Sequence, residues 1–501
     1  MELSRLSSGI LANIAGQVWS GFLQIAFVPV YLRLLGIEAY GLIGFFAMLQ
    51  VGLMALDLGL SPTISRELAR CSAVPAEAGR ARDLVRSLEA VYWSIGLAIG
   101  TTLFLLAPLL ASRWIRAGSL GTAAVVSAVR AMGVLAALQW PVSFYQGGLL
   151  GLQRQVTMNL IRIGMTTLAA GGAALVLWRF SSTITVFFAW QAVAAAAHVS
   201  LLVWALWSAL PAADHPPRAS VAVLRRVAPF ASGLAAIAAS GLVLSQLDKA
   251  LLSRLLPLES FGYYALANVA CSGAALAIAP VFNMVFPRLS ALAAAGDEAA
   301  LRDVYHAGSQ AMTAVIVPIG ALLALFSYPV LLLWTRDPHA ARVASPLLCL
   351  LVTGTTLNGL VNLPYALQLA HGWTTFSLRM NGVLILLLVP AILFMATRYG
   401  AVGGAAVWAG LNVIYLFVAA PFTHRRLLRH DLWRWLGQDV AVPAAAAVAV
   451  TLAGRLLLPA GLSPAATFAS LASLLAASFA AAALATPLGR AGIRRWALAT
   501  P

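Results

Sequence analysis

Long apolar runs separated by short polar breaks occupy almost the whole chain. Most runs reach about 20 residues, the length that an α-helix needs to cross the hydrocarbon core of a bilayer. The pattern therefore predicts an all-α polytopic membrane protein with about 14 transmembrane helices. The predicted helices are residues 10–32, 39–64, 89–111, 119–149, 157–178, 183–207, 229–252, 262–286, 308–334, 345–370, 377–397, 401–422, 440–459 and 463–485.

Polar residues recur at helical spacing inside several of these runs. On the first helix, Asn13, Gln17, Ser20 and Gln24 lie on one face. A polar stripe inside hydrocarbon must face protein or water. One stripe alone is explained by hydrogen bonds between packed helices, whereas stripes in both halves of the chain favour a hydrated central cavity. The other stripes are Gln50, Met54, Asp57 and Ser61; Asn268, Ser272 and Asn283; Thr355, Asn358, Asn362 and Tyr365; and Trp408, Asn412 and Tyr415.

One short segment occurs twice. Residues 33–41 read RLLGIEAYG, and residues 254–262, 221 positions later, read RLLPLESFG. An even number of predicted helices separates the copies, so both halves have the same orientation and are related by a pseudo-two-fold axis along the membrane normal. We predict an N-lobe over 1–215 (helices 1–6), a C-lobe over 216–430 (helices 7–12), and a C-terminal part over 431–501. That last part holds an amphipathic segment, two further helices and a basic cytoplasmic tail.

Composition and charge narrow the class of protein. Of 501 residues, 61% are hydrophobic and 10% are charged, which leaves too little polar surface to coat a soluble protein. The net charge of +16 arises from basic residues at the ends of apolar runs. In that position they set topology, and their distribution predicts that both termini are cytoplasmic. We expect these basic residues to interact with the lipid bilayer and not with a nucleic acid.

Charged residues inside the predicted spans are few. Lys249 is the only lysine in the chain, and it follows Asp248 on the seventh predicted helix with Gln246 beside it. Placing an ionised side chain at the centre of a membrane costs about 2.5–3.5 kcal/mol on insertion scales, so such groups usually serve a site or a pair. Lys249 either attracts an anionic headgroup in the cavity or forms a structural ion pair with Asp57 or Asp248.

Three further charges have alternative interpretations. Asp57 either carries a coupling proton or cation, or pairs with Lys249 or a nearby arginine. Arg162 lies near the cytoplasmic end of the fifth helix, where it either receives a substrate from that leaflet or extends its head group to the interface. Arg130 lies deep in the fourth helix but on the face opposite to Gln139, Ser143 and Gln146, unless Pro141 kinks the helix.

The sequence contains no motif for catalysis. No glycine-rich phosphate loop is followed by Lys-Ser/Thr, so this chain does not hydrolyse ATP. No His, Cys or Glu cluster has metal-ligand spacing. The predicted outer connections are short, whereas membrane glycosyltransferases usually need an extended outer loop. We therefore expect a transporter with no catalytic residue, metal or cofactor, and with H⁺ or Na⁺ as the candidate coupling ion.

Several motifs resemble those of the Wzx-type polysaccharide flippases. They are the run from Asn13 through Pro29 to Gly41, the LDLGL sequence at 56–60 followed by RELAR at 66–70, and SQLDK at 245–249. The resemblance covers about the first 310 residues. It implies the multidrug/oligosaccharidyl-lipid/polysaccharide exporter fold, in which two six-helix lobes form a V around a central cavity and two helices follow.

The resemblance also implies a function in the bacterial inner membrane. Family members move polyprenyl-diphosphate-linked oligosaccharides from the cytoplasmic to the outer leaflet by alternating access. A polysaccharide polymerase and a chain-length regulator are the candidate protein partners. A drug or cation exporter of the same fold, a lipid II-type flippase, and a membrane glycosyltransferase or polymerase are the alternatives. The candidate ion-coupling or structural charges are Asp57 and Asp248. The candidate substrate-binding residues are Lys249, Arg162, Arg130, Gln17, Gln24, Gln246, Asn358 and Asn362.

Overall fold

The computed structural model describes residues 2–55, 60–72, 78–212, 215–220, 246–459 and 461–490. All regular elements in these ranges are helical, with no strand among them, so the predicted all-α fold class is confirmed. Eleven helices of the described ranges are long and apolar enough to cross a membrane. The predicted total of fourteen stays a prediction.

The helices fall into two compact units, Met1–Gly262 and Tyr263–Pro501. The lobes expected at 1–215 and 216–430 stay a prediction. In the first unit the helices are α1 (Glu2–Ala26), α2 (Val28–Ala55), α3 (Leu60–Ser72), α4 (Ala78–Leu109), α5 (Gly121–Gly151), α6 (Gln155–Arg179), α7 (Ile184–Ala209) and the described part of α8, residues 246–255, with the first residues of α9 (Leu258–Ala275) at its end.

The second unit contains the rest of α9 and the helices that follow. These are α10 (Ile278–Ala295), α11 (Glu298–Leu325), α12 (Ser327–Thr335), α13 (Pro338–Ala370), α14 (Thr374–Ile414), α15 (Ala420–Leu427), α16 (Leu432–Arg434), α17 (Val442–Leu457) and α18 (Pro464–Ala485). π-helical segments cover Leu110–Trp114, Tyr415–Ala419 and Trp435–Ala441.

Glycine marks two predicted chain reversals inside apparently continuous helices. Gly36 divides α2 at φ 81°, where the pattern predicts a turn between residues 32 and 39. Gly400 divides α14 at φ 61°, a conformation that an L side chain disfavours. A Cβ on Gly403 would fall on the carbonyl oxygen of Met395, although eight residues of one helix span about 12 Å. The chain therefore folds back at Gly400, which confirms the predicted boundary between 377–397 and 401–422.

Some predicted helix ends are wrong because charged residues continue a helix beyond its apolar part. α4 begins at Ala78, well before the predicted start at 89, and α11 begins at Glu298 where the pattern predicts 308. The predicted helix 262–286 is interrupted between Ala275 and Ile278. Hydropathy locates the apolar part of a helix, whereas the hydrogen-bonded ladder extends into polar sequence.

Each unit has its own packed interior. In the first unit, α3, α4, α5 and α7 enclose aromatic side chains, among which the Tyr92 and Phe144 rings lie 4.7 Å apart. In the second unit, α11 packs against α10, α13, α17 and α18. Because lipid is as apolar as a protein core, such contacts depend on close van der Waals packing and on small residues that let helices approach.

The crossing of α4 and α5 depends on two glycines. A Cβ added at Gly100 would lie 2.7 Å from the Cβ of Ala137 and 2.8 Å from the carbonyl oxygen of Gly133. Leucine at position 100 would force these backbones apart. We expect Gly100→Leu to lower the stability of the folded chain by about 1–3 kcal/mol, the usual cost of overpacking, measured as the thermal unfolding midpoint in detergent.

Gly164→Leu is the matched control, because Gly164 lies on α6 with no atom within 4 Å of an added Cβ. We expect its midpoint to stay near that of the wild type. Equal losses in the two variants would mean that the α4–α5 approach does not require glycine.

Candidate functional site

A group of polar side chains joins α2, α5 and α6 in the first unit. We define this polar seam as Gln50, Gln139, Ser143, Gln146 and Arg162, all of which are partly buried. Gln50 donates a hydrogen bond to Gln139, and Arg162 donates from Nη2 to Gln146 Oε1 at 3.2 Å. Since Gln139, Ser143 and Gln146 lie one helical turn apart on α5, a single face of this helix contacts both neighbours.

Arg162 is the cationic member of the polar seam. Its hydrogen-bond partner is the neutral amide of Gln146, and within the described ranges no carboxylate forms an ion pair with it. An arginine that keeps its charge uncompensated in an amide-lined, partly exposed position is suited to bind an anion through its planar fork of donors.

Lys249 has a different environment. Its Nζ lies 3.4 Å and 3.5 Å from the two carboxylate oxygens of Asp248, and Asp248 is 5% exposed. The pair predicted from adjacency is therefore formed, and it compensates the lysine charge. Gln246 is partly buried on the same described part of α8. Asp57 lies outside the described residues.

The predicted stripe on α1 divides into residues with different surroundings. Asn13 accepts a hydrogen bond from Asn159 on α6 at 2.6 Å, so it joins two packed helices. Gln17 and Gln24 are exposed. Arg130 is also exposed, and its guanidinium lies 5.1 Å from the centroid of the Phe104 ring on α4. The structure thus does not place these three substrate-binding candidates in the polar seam.

In the second unit, the stripes on α13 and α14 meet. Asn358 donates to Asn412 at 3.0 Å, and Asn362 donates to the carbonyl oxygen of Asn358 at 2.8 Å. Asn412 is fully buried, whereas Asn358 and Asn362 are partly exposed. The buried amide fixes the packing of the two helices, and the other two retain polar groups that a ligand can reach.

Glu89 was not among the residues predicted from the sequence, and it is 6% exposed inside α4. Its carboxylate accepts from the Tyr145 hydroxyl at 2.6 Å and from Trp207 Nε1 at 3.2 Å, and it pairs with Arg86 at 3.0 Å. In the sequence, Glu89 is the first residue of a predicted helix, and a carboxylate is common there because it interacts favourably with the helix dipole. Because α4 begins at Ala78, Glu89 lies eleven positions inside the helix. Its buried carboxylate oxygens therefore need hydrogen-bond donors from neighbouring side chains.

The two copies of the repeated segment contact each other within the first unit. A Cβ on Gly262 would fall on the carbonyl oxygen of Ile37, and a Cβ on Gly41 would lie 2.5 Å from that of Leu258. Ile37 and Leu258 occupy equivalent positions in the two copies. Such a reciprocal contact is what a local two-fold axis between the two segments produces.

The segment before α5 contacts both copies. Glu38 of the first copy accepts hydrogen bonds from the backbone amides of Gly118 at 2.5 Å and Ser119 at 2.9 Å. In the second copy, the Leu258 amide donates to the carbonyl oxygen of Arg116 at 2.9 Å. Residues 116–119 therefore hold the two turns side by side.

Comparison with known proteins agrees with these observations. A family model described as a polysaccharide biosynthesis protein matches residues 6–293, which is more than half of the chain. No curated protein sequence matches.

Several solved structures have a similar fold. The lipid II flippase MurJ in an inward closed conformation superposes with a TM-score of 0.67 at 11% identity, covering 94% of this chain and 97% of that one. An inward-facing multidrug resistance MATE family transporter of the MOP superfamily gives 0.61 at 16%, covering 83% and 96%. The MATE transporter VcmN of Vibrio cholerae gives 0.55 at 15%, covering 86% and 100%.

At these identities the likeness shows the fold alone, and the match over residues 6–293 shows that the chain belongs to the polysaccharide biosynthesis protein family.

Proposed function

We propose that the chain is a flippase that moves a polyprenyl-diphosphate-linked oligosaccharide from the cytoplasmic to the outer leaflet of the bacterial inner membrane, with both termini in the cytoplasm. Membership of a polysaccharide biosynthesis family and a fold shared with the lipid II flippase MurJ support this proposal. The observation that carries it is the contact of Arg162 with a neutral amide in the polar seam, where no described carboxylate pairs with its charge.

The charge of the polar seam favours an anionic headgroup. A diphosphate presents several oxygens to a planar guanidinium, which binds two of them at once. A drug exporter for cations would require an acidic site instead, and the described members of the polar seam are one cation, three amides and a hydroxyl. Lys249 is less suited to this role because Asp248 lies 3.4 Å from its Nζ, so we assign it to a structural pair.

Amide groups fit the oligosaccharide. Gln50, Gln139 and Gln146 in the first unit, and Asn358 and Asn362 in the second, each offer both a donor and an acceptor to sugar hydroxyls. The polyprenyl chain needs no polar path because it stays in the bilayer. We also propose a polysaccharide polymerase and a chain-length regulator as partner proteins, and H⁺ or Na⁺ as the coupling ion.

Alternating access requires contacts that close one end of the path and later separate. We place one such closure at the reciprocal contact of Gly41 and Gly262. Each glycine lies against the carbonyl oxygen and the side chain of one residue of the other copy, Leu258 or Ile37, so the glycine itself has no side chain to withdraw when the two turns separate.

The first test is transbilayer movement of a labelled polyprenyl-diphosphate oligosaccharide in proteoliposomes. We expect protein-dependent exposure of the sugar to an external probe, with the lipid chemically unchanged. A lengthened or transferred sugar would show a glycosyltransferase or polymerase instead. Neither movement nor chemistry would contradict the flippase and favour the drug exporter.

Substitution of Arg162 tests the headgroup site. A hydrogen-bonded charged group contributes about 1.5–3 kcal/mol, and 1.4 kcal/mol corresponds to a factor of ten. We therefore expect Arg162→Ala to reduce the flipping rate roughly tenfold or more, and Arg162→Lys to retain an intermediate rate. Arg130→Ala is the matched control, since it removes an exposed arginine outside the polar seam, and we expect less than about a twofold change. Equal effects at both positions would remove Arg162 from the proposed site.

Substitution of Gly262 tests the closure. Gly262→Leu places a side chain against the Ile37 carbonyl oxygen and should hold the turns apart, so we expect the protein to insert and fold while flipping falls sharply. Gly52→Leu is the control, because Gly52 lies on α2 with open space around an added Cβ. Normal flipping by a correctly folded Gly262→Leu chain would show that the contact does not open and close in transport.

A further inference from the structure

A cluster of ionisable side chains is buried in the second unit, outside the residues assigned to the substrate. His306 lies on α11 with its side chain 2% exposed, and Asp439 lies in the π-helical segment Trp435–Ala441 with its side chain 0% exposed. The Nδ1 atom of His306 hydrogen-bonds to Asp439 Oδ2. Its Nε2 atom is buried without a hydrogen bond and faces Asp431 Oδ1 at 4.0 Å.

The charges of this cluster do not balance without an additional proton. Asp431 pairs with Arg302, whose Nε lies 2.7 Å from Asp431 Oδ2. Among the described residues, the second donor to Asp439 is neutral, Nε2 of Gln310 at 2.8 Å. Two carboxylates therefore face one guanidinium, and a buried charge left uncompensated is strongly destabilising. A proton on His306 brings the sum to zero.

The other titratable groups beside His306 do not supply that proton. His424 on α15 has Nδ1 2.7 Å from the carbonyl oxygen of Ala420, so this nitrogen donates. Its Nε2 lies 3.0 Å from the Tyr305 hydroxyl, which donates to it when His424 is the neutral tautomer. In that tautomer both nitrogens of His424 are satisfied, so its contacts need no additional proton. Among the described residues of α10, α13, α17 and α18, no charged side chain pairs with His306.

We propose that His306 is a proton-binding site in which the bound proton bridges Asp439 and Asp431. The imidazolium donates from Nδ1 to Asp439, and its Nε2–H is directed towards Asp431. The bound proton thereby holds the connection between α15 and α17 against α11. Loss of the proton leaves Asp439 with an uncompensated charge in the interior, and the connection moves away from α11 to expose that carboxylate to water.

The position of the cluster gives this proton an influence over several elements. Gln310, which donates to Asp439, also accepts from the Leu488 amide beyond α18 at 3.0 Å. Trp435, which is fully buried, packs against the His424 ring at 5.0 Å. One proton therefore controls the docking of α15, of the segment before α17 and of the segment after α18. If the proposed flippase function holds, this site binds the coupling ion.

The protonation state is measured directly by ¹⁵N NMR on the full chain in lipid nanodiscs with labelled histidine. The chain has seven histidines, and His306→Gln identifies the resonance of interest. We expect both nitrogens of His306 to be protonated at about pH 7.5, and Asp439→Asn to convert it to the neutral form. His339→Gln, at an exposed position, is the control. A neutral His306 in the wild type at that pH overturns the proposal.

A double-mutant cycle tests the charge balance independently. His306→Gln leaves the Asp439 charge uncompensated, so we expect it to lower the thermal midpoint the most. Asp439→Asn releases the proton as well, keeps the charges balanced and loses only the contacts of the carboxylate. The double variant removes one carboxylate and the proton together, and we expect it to recover most of the loss. If the two losses simply add, His306 does not compensate Asp439. Should His306→Gln fail to fold, Asp439→Asn and the double variant still decide the sign of the coupling.

Transport is measured last so that the two proposals fail separately. In flipping assays with an imposed pH gradient, we expect Asp439→Asn to lose the dependence of the rate on that gradient. A wild type that does not flip lipid-linked oligosaccharide contradicts the proposed function, whereas the NMR and stability results still decide the proton site. A gradient dependence that Asp439→Asn retains shows that this proton is not the coupling ion.

Discussion

Every polar group in hydrocarbon must find a partner inside the protein or face water, and this requirement determines how the helices of this chain pack. The buried amide of Asn159 donates to Asn13, and the buried amide of Asn412 accepts from Asn358. Glu89 has three donors around its carboxylate. Each of these groups fixes one helix against another, because separating the pair would leave both partners unsatisfied.

The same requirement separates structural from functional polar groups. Buried groups whose polar atoms have hydrogen-bond partners inside the protein, such as Glu89 and Asn412, stabilise the fold. Arg162 is partly exposed and bonded to a neutral amide, so it keeps a charge to offer to a ligand. His306 lies between these cases, because its surroundings are balanced in one protonation state and unbalanced in the other. A cluster that only holds the fold and a cluster that responds to a proton therefore use the same residue types. They differ in whether their charges balance in one protonation state alone.

The class of fold follows from the sequence because about 20 apolar residues have one stable form in a bilayer. The turns at Gly36 and Gly400 were predictable for the same reason, since each interrupts an apolar run. Within the candidate site, the Lys249–Asp248 pair was visible because its members are adjacent. The contact of His306 with Asp439 was not, because 133 residues separate them and helical periodicity says nothing about which helices become neighbours. Glu89 was missed because the charged start of α4 resembles a loop.

The contacts of Gly41 with Leu258 and of Gly262 with Ile37 have a consequence for the origin of the repeated segment. Each copy of the repeated segment presents a glycine and, four residues earlier, a carbonyl oxygen, and each meets the complementary group of the other copy. A single half already carries both surfaces of this contact. Two copies of this segment on separate polypeptides would meet in the same reciprocal way, so duplication of one segment supplies both sides of the contact at once.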